Sequence, residues 1–99
     1  MTIEEVKEQD QLILKIKGRL DTTTAPQLEQ ITGEKLEGLR KLVLDFTALE
    51  YISSAGLRVL LAAHKTMKSQ EGVMVVTGAN EEVQEVFTIT GFSDILNLE

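Results

Sequence analysis

The sequence predicts an α/β domain with a mixed, mostly parallel sheet, an N-terminal hairpin and helices packed on the sheet. Three observations carry that reading. Two short continuous apolar runs, Leu42-Val43-Leu44 and Val73-Met74-Val75-Val76, have the composition of strands covered on both faces. Leu12, Leu14 and Ile16 alternate with Ile13, Lys15 and Lys17, the period of a strand. Stretches with helical apolar spacing separate and follow these strands, and such alternation implies right-handed crossovers into a largely parallel sheet.

In chain order, Thr2 to Lys17 suits two strands joined by a hairpin turning near Gln9 and Asp10. Gly18-Arg19-Leu20-Asp21-Thr22-Thr23-Thr24 then breaks the strand. Thr24 followed by Gln27 forms a capping-box pattern with Pro26 in the first turn, so a helix is expected from there to about Leu36. Leu28, Ile31, Lys35 and Leu36 would form its inner stripe, with Gly38 as its stop. Lys41 to Asp45 reads as the next strand, and beyond Ser54 the apolar residues Leu57, Leu60, Leu61 and Met67 fall at helical spacing. Either Ser53 or Ser54 can cap that helix. After a turn at Glu71-Gly72, Val73 to Thr77 is a strand, and Gly78-Ala79-Asn80 is a loop ending in an N-cap. A third helix would turn Val83, Val86, Phe87 and Thr90 inward and end at Gly91, with Phe92 packing beside the stop. Ile95, Leu96 and Leu98 would make a short last strand.

Residues 1–99 suffice for one domain with a real core. Hydrophobic residues are 42% and charged residues 26%, an ordinary globular composition. With no cysteine, neither a disulfide framework nor a thiolate metal site is available. The net charge of -6, from 16 acids against 10 bases, repels phosphate backbones and anionic lipid, so neither nucleic acid nor a membrane is an expected partner. The amino terminus lacks the pattern of a signal peptide and no apolar stretch is long enough to cross a bilayer, which leads to the expectation of a cytoplasmic protein.

The stretch from Asp45 to Leu61 is where chemistry is expected, because a strand ends there and a helix begins on two serines and a glycine. Ligands of such sheets gather beyond the carboxyl ends of the strands, where topology also puts the Asp21 loop. A serine hydrolase needs more than Ser54. Ile52-Ser53-Ser54-Ala55-Gly56 is not the Gly-x-Ser-x-Gly elbow, and His64 lies ten residues along the same helix. At the usual rise of 1.5 Å per residue that is about 15 Å, too far for a general base. His64 has no companion ligands, and the scattered glycines form no phosphate-binding fingerprint, so no metal and no cofactor is expected. For Ser54 two readings stand: a helix cap, or a phosphoacceptor at a helix N-terminus that favours negative charge.

Leu42 to Leu57, with Asp45-Phe46-Thr47 followed by Ile52-Ser53-Ser54-Ala55-Gly56, resembles the signature of STAS domains, specifically of bacterial anti-sigma-factor antagonists. Gly18-Arg19-Leu20-Asp21-Thr22-Thr23-Thr24-Ala25 is similar to that family's loop, and the two motifs occur in the expected order. The resemblance implies a non-catalytic binding module of transcription regulation, not an enzyme. Its unphosphorylated form would bind an anti-sigma factor with serine kinase activity and free sigma factor. Phosphorylation would end that binding, and a PP2C-type phosphatase would restore it. Ser54 matches the phosphorylated serine and Asp21 the loop aspartate. The resemblance puts Thr22, Ser53, Arg58, Val59 and Ala62 with Asp21 on the partner-binding surface. The alternative is a constitutive STAS scaffold or adaptor in which Ser54 only caps. Two departures stand out: Ser53 occupies a position where the family usually has aspartate, and the chain stops at Glu99 where many relatives continue into another helix. One flank of the sheet is therefore expected to be less covered, or shared with a partner.

Overall fold

The computed structural model describes residues 1–99, with elements β1 (Thr2–Glu8), β2 (Gln11–Leu20), α1 (Ala25–Glu34), β3 (Lys41–Ile52), α2 (Ser54–Ser69), β4 (Val73–Thr77), α3 (Glu81–Thr90), a 3₁₀ turn (Phe92–Asp94) and β5 (Asn97–Leu98). The sheet order is β1-β2-β3-β4-β5, with β1 antiparallel to β2 and all other neighbours parallel. The expected class and element order are both present. Because each right-handed crossover steps in the same direction across the sheet, all the helices fall on one face.

That face holds the core. Leu12, Leu14 and Ile16 from β2, Leu42, Leu44 and Phe46 from β3, and Met74 and Val76 from β4 pack with Leu28, Leu57, Leu60, Met67, Val83 and Phe87 from the helices. The central strands are thus covered on one face only, a correction to the two-sided burial that their apolar runs suggest. Val43 and Val75 point away from the helices and stand outside this cluster.

Strand β3 runs seven residues beyond Asp45, where sequence spacing ends it. Two register shifts against β2, between Lys15 and Lys17 and between Gly18 and Arg19, each place an extra residue in β3. Its inward residues are therefore Leu42, Leu44 and Phe46, then Leu49 and Ile52, a change from period two to three that disguises the strand.

Other boundaries differ for local reasons. Thr24 makes no side-chain cap on α1, its hydroxyl being engaged with Arg19 and Asp21 instead. Helix α1 stops at Glu34, so Gly38 lies in the following turn rather than at the helix end. Lys35 reaches out to Glu5 at 2.7 Å instead of facing the core. The Gln70 side chain at the end of α2 donates to Leu36 O (2.6 Å) and Leu39 O (2.9 Å), holding the linker whose two leucines are buried. Leu60 is buried and Leu61 only half-buried, while Thr90 is exposed and donates to Val86 O. Asn80 caps α3 by accepting from Val83 N–H at 2.8 Å, and Gly91 ends it in the left-handed conformation, both as expected. Strand β5 shrinks to Asn97–Leu98 because the 3₁₀ turn consumes Phe92–Asp94 and leaves Ile95 exposed.

Gly56, in the first turn of α2, sets how closely that helix meets the sheet. A Cβ there would lie 2.7 Å from Leu20 Cγ and 2.9 Å from Ile52 Cγ1, whereas one at Gly33 in α1 meets nothing within 4 Å. Gly56→Ala should therefore cost about 1–3 kcal/mol through overpacking. Gly33→Ala should be neutral or stabilise by up to about 1 kcal/mol, having no clash to offset the lost unfolded-state entropy. Urea denaturation of the two variants measures the contrast.

Candidate functional site

The carboxyl ends of β2 and β3 lie side by side, with Leu20 in register with Ile52. One step further, the Ser53 N–H donates to Leu20 O at 2.9 Å. This bond joins the residue before Asp21 to the residue before Ser54, so the two motifs form one surface at the sheet's carboxyl edge.

In the Asp21 loop the carboxylate is organised by its own backbone. Oδ1 accepts from Thr23 N–H (3.0 Å) and Thr24 N–H (3.1 Å), an Asx-type turn. The Thr24 hydroxyl accepts from Asp21 N–H at 2.9 Å and points its proton at Arg19 O, 2.8 Å away, with Asp21 Oδ1 next at 3.2 Å. These donors, Thr24 N–H foremost, hold the Asp21 carboxyl below the ordinary aspartate value of 3.8. Only the loose approach of Arg19 Nε, at 3.8 Å, engages Oδ2. One oxygen thus builds the loop while the other is open to a donor from outside. Thr22 is exposed at the tip.

At the start of α2 the serines divide two tasks. Ser53 is the N-cap, extended at φ -101 and ψ 175, and its Oγ accepts from Gly56 N–H at a long 3.4 Å. Ser54 is the first helical residue, exposed, with no intramolecular partner for its hydroxyl. The capping role open to both serines therefore belongs to Ser53. Arg58 and Ala62 are exposed one and two turns along the same stripe as Ser54, with half-buried Leu61 between them. Val59 is the exception among the expected surface residues. At 5% exposure it belongs to the core, because it lies five residues from Ser54 and so faces the sheet side.

Arg19 and Tyr51 are additions that sequence reasoning missed. They are register partners across β2 and β3, and the Arg19 guanidinium sits 4.2 Å from the ring centroid of Tyr51, which is 37% exposed. Both residues lie inside the two motifs, but the shifted register alone makes them a pair. Together they give the edge a cationic and aromatic element beside Asp21. His64 remains half-buried further along α2, and no cluster of three or more His, Cys, Asp or Glu side chains is close enough to hold a metal.

Replacing Thr24 by valine removes the hydroxyl contacts and loosens the turn that presents both amides, so the Asp21 pKa should rise toward 3.8. The folded-state value is depressed. Its stabilising contribution is therefore complete at pH well above 3.8 and is lost as acid carries the pH below that value through the folded pKa. Carboxyl-carbon NMR titration of Asp21 in the Thr24→Val variant checks the shift, and an unchanged midpoint would remove Thr24 from the account.

Similarity to known proteins agrees with this geometry. Residues 2–99 match the family model described as STAS domain. BtrV of Bordetella bronchiseptica, described as an anti-sigma factor antagonist, is 40% identical over 85 residues, covering 85% of this chain and 73% of that protein. The anti-sigma-B factor antagonist of Listeria monocytogenes is 30% identical over 99 residues, covering 96% of this chain and 86% of its own. Among solved structures, the anti-sigma factor antagonist SpoIIAA of Bacillus superposes in its unphosphorylated form with a TM-score of 0.77 and in its phosphorylated form with 0.78. Those alignments cover 99% of this chain with 87% and 91% of SpoIIAA, at 13% identity, a likeness of fold. A match over nearly the whole length, the paired motifs at one sheet edge and the relatives' common description agree: the chain belongs to the STAS domain family, among the anti-sigma factor antagonists.

Proposed function

We propose that this chain is a phosphorylation-switched anti-sigma-factor antagonist. Unphosphorylated, it binds an anti-sigma factor that is also a serine kinase, and sigma factor is released. The observation that carries the reading is the division of labour at α2: Ser53 holds the cap, so the exposed Ser54 hydroxyl is free to react without dismantling the helix start. In the transfer, Ser54 Oγ takes the γ-phosphoryl group of ATP held by the kinase, the bond to the β-phosphate breaks and ADP leaves. The hydroxyl proton passes to a base of the kinase, this chain having none within reach. A PP2C-type phosphatase reverses the modification by hydrolysis. That SpoIIAA is described in both unphosphorylated and phosphorylated forms of one fold supports a switch of this kind.

The switch is electrostatic. A phosphoserine brings about -1.5 to -2 of charge into a surface that must be desolvated on binding, and burying it unpaired is costly. The same charge at the first residue of α2 meets favourable amide dipoles, and no acidic residue occupies that turn, so the fold survives what the interface does not. Asp21 Oδ2, Thr22, Arg58 and Ala62 complete the partner surface around Ser54. The second reading, a constitutive adaptor, draws on Ser53 standing where the family usually has aspartate.

Incubation with the cognate kinase and ATP should place one phosphate on Ser54 by mass spectrometry. Ser53→Ala should lose about 0.5–2 kcal/mol with its cap yet still be modified, and Ser54→Ala should bind without being switched. Modification of Ser53 alone would overturn the site, and intact binding without modification would leave the adaptor. A separate comparison tests the helix faces. Ala62→Glu should weaken kinase binding with an unchanged melting temperature. Val59→Ala should lose about 1–3 kcal/mol of stability, since truncating a buried side chain removes its transfer energy.

A further inference from the structure

The sheet face opposite the helices has the makings of a second buried surface. Val6, Ile13, Val43 and Val75 lie in register across β1 to β4, with Asn97 of β5 at the end of the row. None of the four belongs to the main core cluster or packs against it; Val75 is buried at 5% exposure and the others are half-buried. Toward the carboxyl ends of the parallel strands, the next in-register row is Glu4, Lys15, Asp45 and Thr77. Toward their amino ends it is Glu8, Gln11, Lys41 and Val73. Apolar runs of this kind belong to strands covered on both sides, and here no helix covers the second.

Charge selects the occupant. A two-fold axis parallel to the strands and midway between β2 and β3 lays β2 of one copy over β3 of another. Ile13 then faces Val43 and Val6 faces Val75, at the spacing of about 10 Å and the roughly 30° offset of packed sheets. Lys15 of each copy meets Asp45 of the other, so two attractive pairs flank the apolar row. Gln11 opposes Lys41 and Glu4 opposes Thr77, leaving no like charges in register. The other in-plane axis, perpendicular to the strands, pairs Asp45 with Lys41 but sets Glu4 against Glu8 and leaves Lys15 opposite the uncharged Gln11. The geometry points to a homodimer formed by this open sheet face, with Lys15 and Asp45 setting its register and the half-exposed Val6, Ile13 and Val43 supplying its affinity. The contact leaves the Ser54 edge free and does not rest on the phosphorylation reading.

Sedimentation of the purified chain should reveal a concentration-dependent monomer–dimer equilibrium, expected at a dissociation constant on the order of micromolar for so small a face. Lys15→Glu and Asp45→Lys should each be monomeric, because each places like charges across the axis, and an equimolar mixture should recover a heterodimer. That recovery separates pairing between copies from pairing within one. Should Asp45→Lys unfold through loss of its Thr47 hydrogen bonds, cross-linking replaces it. The chain has no cysteine, so Glu4→Cys mixed with Thr77→Cys should be joined by a short bis-maleimide, and neither variant alone should be. A monomer at every concentration overturns the proposal, as does a dimer indifferent to the charge changes. So does a monomer whose Val43→Arg variant loses only a different partner, which would give the face to that partner.

Discussion

The hydrogen bond from Ser53 N–H to Leu20 O is the contact on which the candidate site depends. It closes the β2–β3 pairing at its carboxyl end and fixes where the chain leaves the sheet to start α2. Gly56 then lets the helix settle onto Leu20 and Ile52 with no Cβ between them. Without that closure, the Asp21 loop and the serine pair would be two loops on a sheet edge, free to move apart.

On this fixed base the site separates groups that maintain structure from groups left open at the surface. Asp21 commits one carboxylate oxygen to Thr23 and Thr24 and leaves the other almost free. Ser53 and Ser54 divide cap and exposed hydroxyl in the same way. Such division suits the proposed switch, because a group that both stabilises the fold and is modified would unfold the protein as it signals. Arg19 follows the pattern, its guanidinium lying over Tyr51 while it approaches Asp21.

The sheet order has a wider consequence. Strands added in one direction by right-handed crossovers carry all their helices on one side, which leaves the other side to be finished by something else. Val75 on that side is already buried in the single chain, whereas Val6, Ile13 and Val43 stay half-exposed. Their flanking charges are arranged in rows, not scattered, which is what pins register when two sheet faces meet.

The amino-acid pattern alone determined the element order, the hairpin, the inward face of β2, the inward Val83 and Phe87 of α3, the Asn80 and Gly91 caps and the two motifs. These are local properties, set by apolar period and turn chemistry within a few residues. What only the tertiary structure decided depends on partners distant in sequence. The length of β3 was hidden because two bulges against β2 broke its period. Thr24 follows the capping-box pattern, but its hydroxyl oxygen accepts the Asp21 N–H of the preceding loop and its proton goes to Arg19 O, so it does not cap α1. The Arg19–Tyr51 stack and the helix-free sheet face likewise exist only once register and strand order are in place, because each joins residues that no local pattern connects.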